Sequence, residues 1–260
     1  MNKNFILLML CMASINVFAQ GEVNFKNANN GKVKEMVQKT LPAYIERGVV
    51  KGNINSTFGR NGNACEYNKQ GIKINQVYDD GETRFPIEFR YEYDGKRVAS
   101  QALFINPPNS NLWKTNYFKY DAKGKKIVEV VSISANGDSL ERTTFRYENN
   151  LLMEEIYCNY KYPEEQYISE YMYDNAKQNN PSKIKYYTLA NGEKTLGSIC
   201  ASSYDEHGNE IVNEMYDAEG NLSSSTTNKY IYGKKGNWVR KETYLNGEVY
   251  NLTEREFIFH

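Results

Sequence analysis

The chain runs to 260 residues with 32 basic and 32 acidic side chains, so its formal charge balances to zero. With no basic block, that balance argues against a nucleic-acid surface. Beyond the N-terminal segment no apolar run reaches the roughly 18 residues of a spanning helix, so no membrane span is expected in the mature chain.

Lys3 opens a short basic region, Phe5 to Met12 form an apolar stretch, and Val17-Phe18-Ala19 closes it with branched and small residues. This pattern reads as a secretory signal peptide over 1–19, cleaved between Ala19 and Gln20. It predicts a secreted or periplasmic protein. The alternative is a lipid anchor through Cys11, at the end of Leu8-Met9-Leu10-Cys11, although bulky Leu10 stands where a small residue is usual. Loss of the leader leaves Cys65, Cys158 and Cys200. An odd number without close spacing makes neither a disulfide framework nor a zinc ribbon.

Residues 20–53 form a polar lead-in followed by an amphipathic segment. Val33, Met36, Val37, Leu41, Tyr44 and Ile45 fall on one face of a 3.6-residue period. With Asn30 as N-cap and a kink at Pro42, this spacing predicts a helix over 32–47.

From 54 to 260 the period becomes two. Phe89, Tyr91 and Tyr93 alternate with Glu88, Arg90 and Glu92; Phe145 and Tyr147 alternate with Thr144 and Arg146. Over the same region an aromatic residue returns at Tyr67, Tyr93, Tyr120, Tyr147, Tyr173, Tyr204, Tyr232 and Phe259, 26 to 31 residues apart. Most are followed by a turn, such as Asp121-Ala122-Lys123-Gly124. A second turn lies halfway along each unit, as at Asn136-Gly137, Asn191-Gly192 and Asn246-Gly247. A fixed period of this size marks a repeat array. Two strands per unit predict a mainly β protein: an extended antiparallel meander of about 14–15 strands, curled or twisted, roughly 65 Å wide if flat.

Tyr-Asp-x-x-Gly at Tyr120–Gly124, Tyr204–Gly208 and Tyr216–Gly220 resembles the YD repeat of RHS-type bacterial proteins. Tyr171-Met172-Tyr173-Asp174 and the segment from Tyr230 to Trp238 look like degraded copies. The resemblance covers residues from about 67 onward and is nearest to the short, secreted, Tyr-rich members found in Bacteroidetes-type bacteria. It implies an exported β-repeat sheet. It does not imply the shell that long RHS proteins build around a toxin, because the repeats are too few.

No residue cluster signals chemistry. His207 lies in a polar turn and the other histidine is His260, too few for a triad or a three-histidine zinc site. Neighbouring acids such as Glu154 and Glu155 point to opposite faces of a strand and cannot flank one bond. The Asp-x-x-Gly turns lack the EF-hand pattern, and no P-loop, GxSxG or dinucleotide fingerprint is present. No catalytic, metal or cofactor-binding residue is assigned, and no cofactor is expected.

The 22 tyrosines, 11 phenylalanines and two tryptophans read first as cross-strand packing. Where uncovered, the same stripe makes a platform for a glycan or an envelope protein. Tyr230, Tyr232, Trp238 and Trp113 are the candidate anchors. The sequence thus reads as an exported, non-enzymatic β-repeat protein presenting a binding or structural surface in the bacterial cell envelope. The alternative is a cell-envelope hydrolase using carboxylates from separate strands.

Overall fold

Inward and outward side chains alternate along nearly every segment of the chain, and this period of two builds strands. The computed structural model describes residues 33–52, 61–79, 84–105, 111–174 and 180–260. These carry β1 (Val33–Glu46), β2 (Val49–Gly52), β3 (Asn61–Tyr67), β4 (Lys73–Asp79), β5 (Arg84–Asp94), β6 (Arg97–Ile105), β7 (Asn111–Tyr120), β8 (Ile127–Ser134) and β9 (Ser139–Glu148). They continue with β10 (Leu151–Asn159), β11 (Glu165–Met172), β12 (Lys183–Ala190), β13 (Glu193–Tyr204), β14 (Glu210–Asp217), β15 (Leu222–Tyr232), β16 (Trp238–Leu245) and β17 (Glu248–Phe259).

From β3 to β17 each strand pairs antiparallel with the next. β1 pairs antiparallel with β17 on one side and with β3 on the other. The wall therefore closes as a sixteen-stranded antiparallel barrel, with β2 outside the ring. The open, curled meander expected from the repeats is corrected. An open sheet would leave β3 and β17 as bare edges; β1 satisfies both.

β1 also corrects the predicted helix over 32–47. A bulge at Lys34, between the pairs Val33–Phe259 and Glu35–Ile258, shifts the alternation by one residue. It puts Val33 and Met36 on the same inner face, three positions apart, which imitates a helical spacing. Val37 and Leu41, the next members of the apparent helical stripe, point outward, and Leu41 is covered. Past Pro42 the chain leaves the wall and pairs only with β2, through a tight turn at Arg47 (φ 52°) and Gly48 (φ 77°). This outer hairpin buries Leu41, Val50 and Leu252. Gly52 packs closely there: a Cβ would lie 2.8 Å from Leu41 Cδ1 and would displace that side chain. Arg240 Nη2 donates to the Val50 carbonyl at 2.6 Å and ties the hairpin down. The leader, its Ala19–Gln20 junction and Cys11 lie outside the described residues.

The register assigns each side chain to one surface. On β7, Lys114 and Asn116 are buried while Trp113 and Tyr117 are exposed. On β9, Phe145 is buried while Arg142 and Arg146 are exposed. The aromatic stripe is thus the inner face and the charged residues form the outer one. Sixteen strands about 4.8 Å apart make a wall roughly 25 Å across, more than twice the ~10 Å that separates two packed sheet faces. Inward polar residues such as Gln38, Ser198, Thr226 and Asn251 keep partial exposure, in keeping with interior space.

The repeat turns follow their residue chemistry. Asp121 and Asp205 each accept the backbone amide four residues on, at 2.7 and 2.8 Å. Gly124 and Gly208 then take positive φ (65° and 80°). These carboxylates are occupied by the turn itself, and amide donation from Lys125 holds the Asp121 carboxyl below its usual range. Asn191 and Asn246, each followed by glycine with both φ positive, make the two-residue hairpins expected of Asn-Gly.

Candidate functional site in the barrel interior

One rim of the barrel is lined inside by aromatic rings. Tyr67, Phe118, Tyr120, Phe145, Tyr147, Tyr171, Tyr173, Tyr230, Tyr232, Phe257 and Phe259 all come from the C-terminal ends of odd-numbered strands. Most join one of two clusters: one around Ile127, Phe145, Leu152 and Tyr171, another around Val33, Met36, Cys65 and Tyr67.

A β-bulge beside this rim explains why the ring is so often tyrosine. The bulges insert Ile74, Ala99, Met153 and Ile211 opposite the regular strand. In each case the carbonyl of the preceding residue accepts a tyrosine hydroxyl from a later strand. Tyr91 reaches Lys73 O at 2.6 Å, Tyr120 reaches Val98 O at 2.9 Å, Tyr173 reaches Leu152 O at 2.9 Å and Tyr230 reaches Glu210 O at 3.0 Å. A bulge disrupts the ladder locally, and a carbonyl it displaces needs another donor. Phenylalanine could fill the space but not satisfy the oxygen. Tyr204 makes the same bond to Pro181 O at 3.1 Å. Of the three Tyr-Asp-x-x-Gly cores, those at Tyr120 and Tyr204 belong to this rim. The core at Tyr216 lies at the opposite rim with its tyrosine outward, bonded to Glu214 at 2.6 Å.

Below the aromatic layer the inner wall turns polar. Gln101 Nε2 donates to Tyr91 Oη at 3.1 Å, Asn116 Nδ2 to Gln101 Oε1 at 3.1 Å, and Ser132 Oγ to Asn116 Oδ1 at 2.8 Å. Gln101, Asn116 and Ser132 are buried, and this ladder satisfies them across four strands. Lys114 ends beside it at 3.2 Å from Glu141.

Glu155 is the most deeply buried acid of the described residues, 2 % exposed. Tyr171 donates to its Oε2 at 2.8 Å, while Oε1 has no hydrogen-bond partner. Burial pushes its carboxyl up to about 7, against the lowering effect of the Tyr171 bond. Burial likewise raises the Tyr171 hydroxyl.

The inner wall at β15–β17 carries the strongest concentration of charge against aromatic surface. Lys241 pairs with Tyr230 on one side and Thr253 on the other; Arg255 pairs with Gln38. The Arg255 guanidinium sits 3.5 Å from the Trp238 ring centroid, and its Nε donates to Gln38 Oε1 at 2.8 Å. Trp238 in turn packs tilted against Tyr230, with ring centroids 5.6 Å apart. Burial lowers both cations, Arg255 to about 10, and Arg255 lowers Lys241 further. Glu210 faces the same region, with Oε2 accepting from Ser202 and Asn213, both at 2.9 Å.

Three of the four residues singled out from sequence therefore meet. Tyr230, Tyr232 and Trp238 form one patch, but on the inner wall, half-buried. Trp113 stands apart on the outer wall, 48 % exposed. His207 packs its ring 4.2 Å from Tyr232 and remains a turn residue. Cys65 and Cys200 are buried thiols; burial raises Cys200, which accepts a bond from Asn213 Nδ2 at 3.1 Å. Sequence reasoning missed Glu155, Lys241 and Arg255. For Arg255, its parity with Phe257 and Phe259 was the available signal, whereas a bulge at Val239 hides that signal for Lys241. For Glu155 the bulge at Met153 conceals it, because Leu152 and Glu155 share a face three residues apart.

Among the described residues no group of three or more histidine, cysteine or acidic side chains is placed to hold a metal. No family model matches the chain and no curated protein matches it. Among solved structures, the chain is similar to a porin-like protein from Bacteroides uniformis, at 11 % identity and a TM-score of 0.49, over 87 % of this chain and 96 % of that one.

Proposed function

We propose that the chain is an exported, non-enzymatic binding barrel of the cell envelope, bathed in water on its outer wall and presenting its binding surface on the inside. The observation that carries this reading is the direction in which the wall faces. Lipid-embedded barrels put an apolar band outward. Here Arg90, Arg142, Glu154, Glu170, Lys185 and Glu254 occupy outward positions well inside their strands. Several pair along the surface, as Arg142 with Glu129 at 2.6 Å and Arg90 with Glu88 at 2.7 Å. A basic residue facing lipid at mid-depth costs about 2–4 kcal/mol, so Arg90, Arg142 and Lys185 together would be prohibitive there.

The inner wall offers half-exposed tyrosine and tryptophan beside amides and hydroxyls, the surface that suits a glycan or similar small ligand. A folded protein partner fits such an interior poorly. The hydrolase alternative is disfavoured because Glu141, Glu155 and Glu210 are each held by a neighbour in their own part of the wall. Kinship with YD-repeat proteins belongs to the same proposal, supported by the turn geometry at Asp121 and Asp205.

The test is fractionation of the mature chain. It should purify as a folded, monodisperse species in detergent-free buffer and float with none of a set of anionic or zwitterionic liposomes. A requirement for detergent, or co-flotation with vesicles after high-salt washing, would overturn the water-exposed reading.

A further inference from the structure

The inner wall at β15–β17 holds two cations that no acid neutralises directly. Among the described residues, neither Lys241 nor Arg255 forms an ion pair. Among the described residues, the only hydrogen bond of Arg255 goes from Nε to Gln38, which leaves both Nη groups unengaged there, and the Lys241 ammonium makes none. Neither group is among the sealed, unsatisfied atoms, so both open onto the interior. The two side chains flank one aromatic surface: Arg255 lies 3.5 Å and Lys241 6.0 Å from the Trp238 centroid. They sit diagonally on adjacent strands, a spacing of roughly 7–8 Å between Cα atoms.

We propose that this patch is an anion site, and that the ligand of the barrel carries a carboxylate or phosphate group on a ring. The oxyanion bridges the Lys241 ammonium and the free edge of the Arg255 guanidinium. The ring to which it is attached lies against Tyr230. This deepens the interior-binding reading and rests on it.

The chemistry favours this occupant for three reasons. Burial disfavours the charged form of both cations, and the Arg255 charge disfavours that of Lys241 as well. A bound anion removes both penalties at once. The planar guanidinium, fixed by Gln38 on one edge and Trp238 on one face, keeps a two-donor edge preorganised for an oxyanion. The acid that acts on Lys241, Glu210, has Oε2 committed to Ser202 and Asn213, and Asp205 is held by Tyr232. Glu210 balances at most one of the two positive charges, so the patch keeps a net positive charge.

Intrinsic fluorescence tests this on the whole mature chain, since Trp238 lies under the site and Trp113 outside the barrel gives a constant background. The probes are inorganic phosphate, glucose 6-phosphate, glucuronate and uncharged glucose at low ionic strength. At least one of the charged ring probes should give a saturable change that glucose does not. Phosphate should compete with it, which separates the oxyanion from the ring. Lys241→Gln and Arg255→Gln should each weaken that probe at least tenfold while circular dichroism stays that of the parent. Wild-type binding should also weaken severalfold on raising salt, a readout independent of either variant's folding. No saturable response to any charged probe, or equal binding by both folded variants, would refute the anion site. Glucose binding that survives both substitutions would leave the interior-binding reading standing and remove only the anion.

Discussion

Glu155 shows how one side chain couples this interior to pH. Its folded carboxyl titrates near 7, above the ordinary 4.5, chiefly through burial. The folded state therefore holds the proton more tightly than the unfolded chain. The stability this confers is complete below about pH 4.5, is lost as pH rises towards 7, and stays lost above it; the span is about 3 kcal/mol. Glu155→Gln keeps an acceptor for Tyr171 and has no charge to desolvate. The variant should equal the wild type near pH 4.5 and exceed it by up to ~3 kcal/mol at pH 8, read from urea unfolding at the two pH values. A difference that stays constant across that range would show that Glu155 is not the titrating group. The tyrosine hydroxyls act on a smaller scale. Tyr120→Phe should cost about 1–2 kcal/mol, because it leaves the Val98 carbonyl beside the bulge without its donor. Thermal unfolding of the single variant measures it, and a loss below about 0.3 kcal/mol would mean that water replaces the hydroxyl.

At the level of elements, β1 is the piece that the sequence disguises. The 27-residue period, the turns and the shared face of the aromatic stripe were legible because Asp-x-x-Gly and Asn-Gly act locally and the aromatic parity is constant. The barrel was not, since closure depends on pairing between Met36 and both Phe257 and Cys65, positions that no local pattern connects. Bulges added to the difficulty: the one at Lys34 turned a strand into an apparent helical stripe. Tyr230 and Tyr232 were picked out because they share the stripe's repeat phase, and Trp238 as an aromatic anchor near them, but whether that face was inside or outside needed the closed wall. A strand paired on both sides cannot spare an amide. Val37→Pro should therefore destabilise the barrel by ~3 kcal/mol or more, although the Val37 side chain is 40 % exposed. Val37→Thr should stay within about 0.5 kcal/mol, since it keeps the β-branched shape and the amide. Equal tolerance of both substitutions in chemical denaturation would mean that β1 is not a wall strand in solution.

For the whole molecule, the outward charges separate two physical environments. In water the Arg142–Glu129 pair is exposed and contributes about 0–1 kcal/mol. Arg142→Leu should therefore leave stability nearly unchanged and reduce solubility. Facing lipid, the same substitution would stabilise by about 2–4 kcal/mol. Equilibrium unfolding of the variant against the parent decides between them by the sign and size of the change.

The one strand out of order also governs how such a molecule can change size. β1 closes the ring from the start of the chain, while every later unit contributes two strands and most add a tyrosine that fastens the unit to the one before. Duplication of one whole unit would add an up-strand and a down-strand together, so β1 would still meet antiparallel neighbours on both sides. Gain or loss of half a unit would leave it facing a parallel edge. The bore can thus widen or narrow only in steps of two strands, roughly 3 Å in diameter each, making cargo size a matter of repeat number.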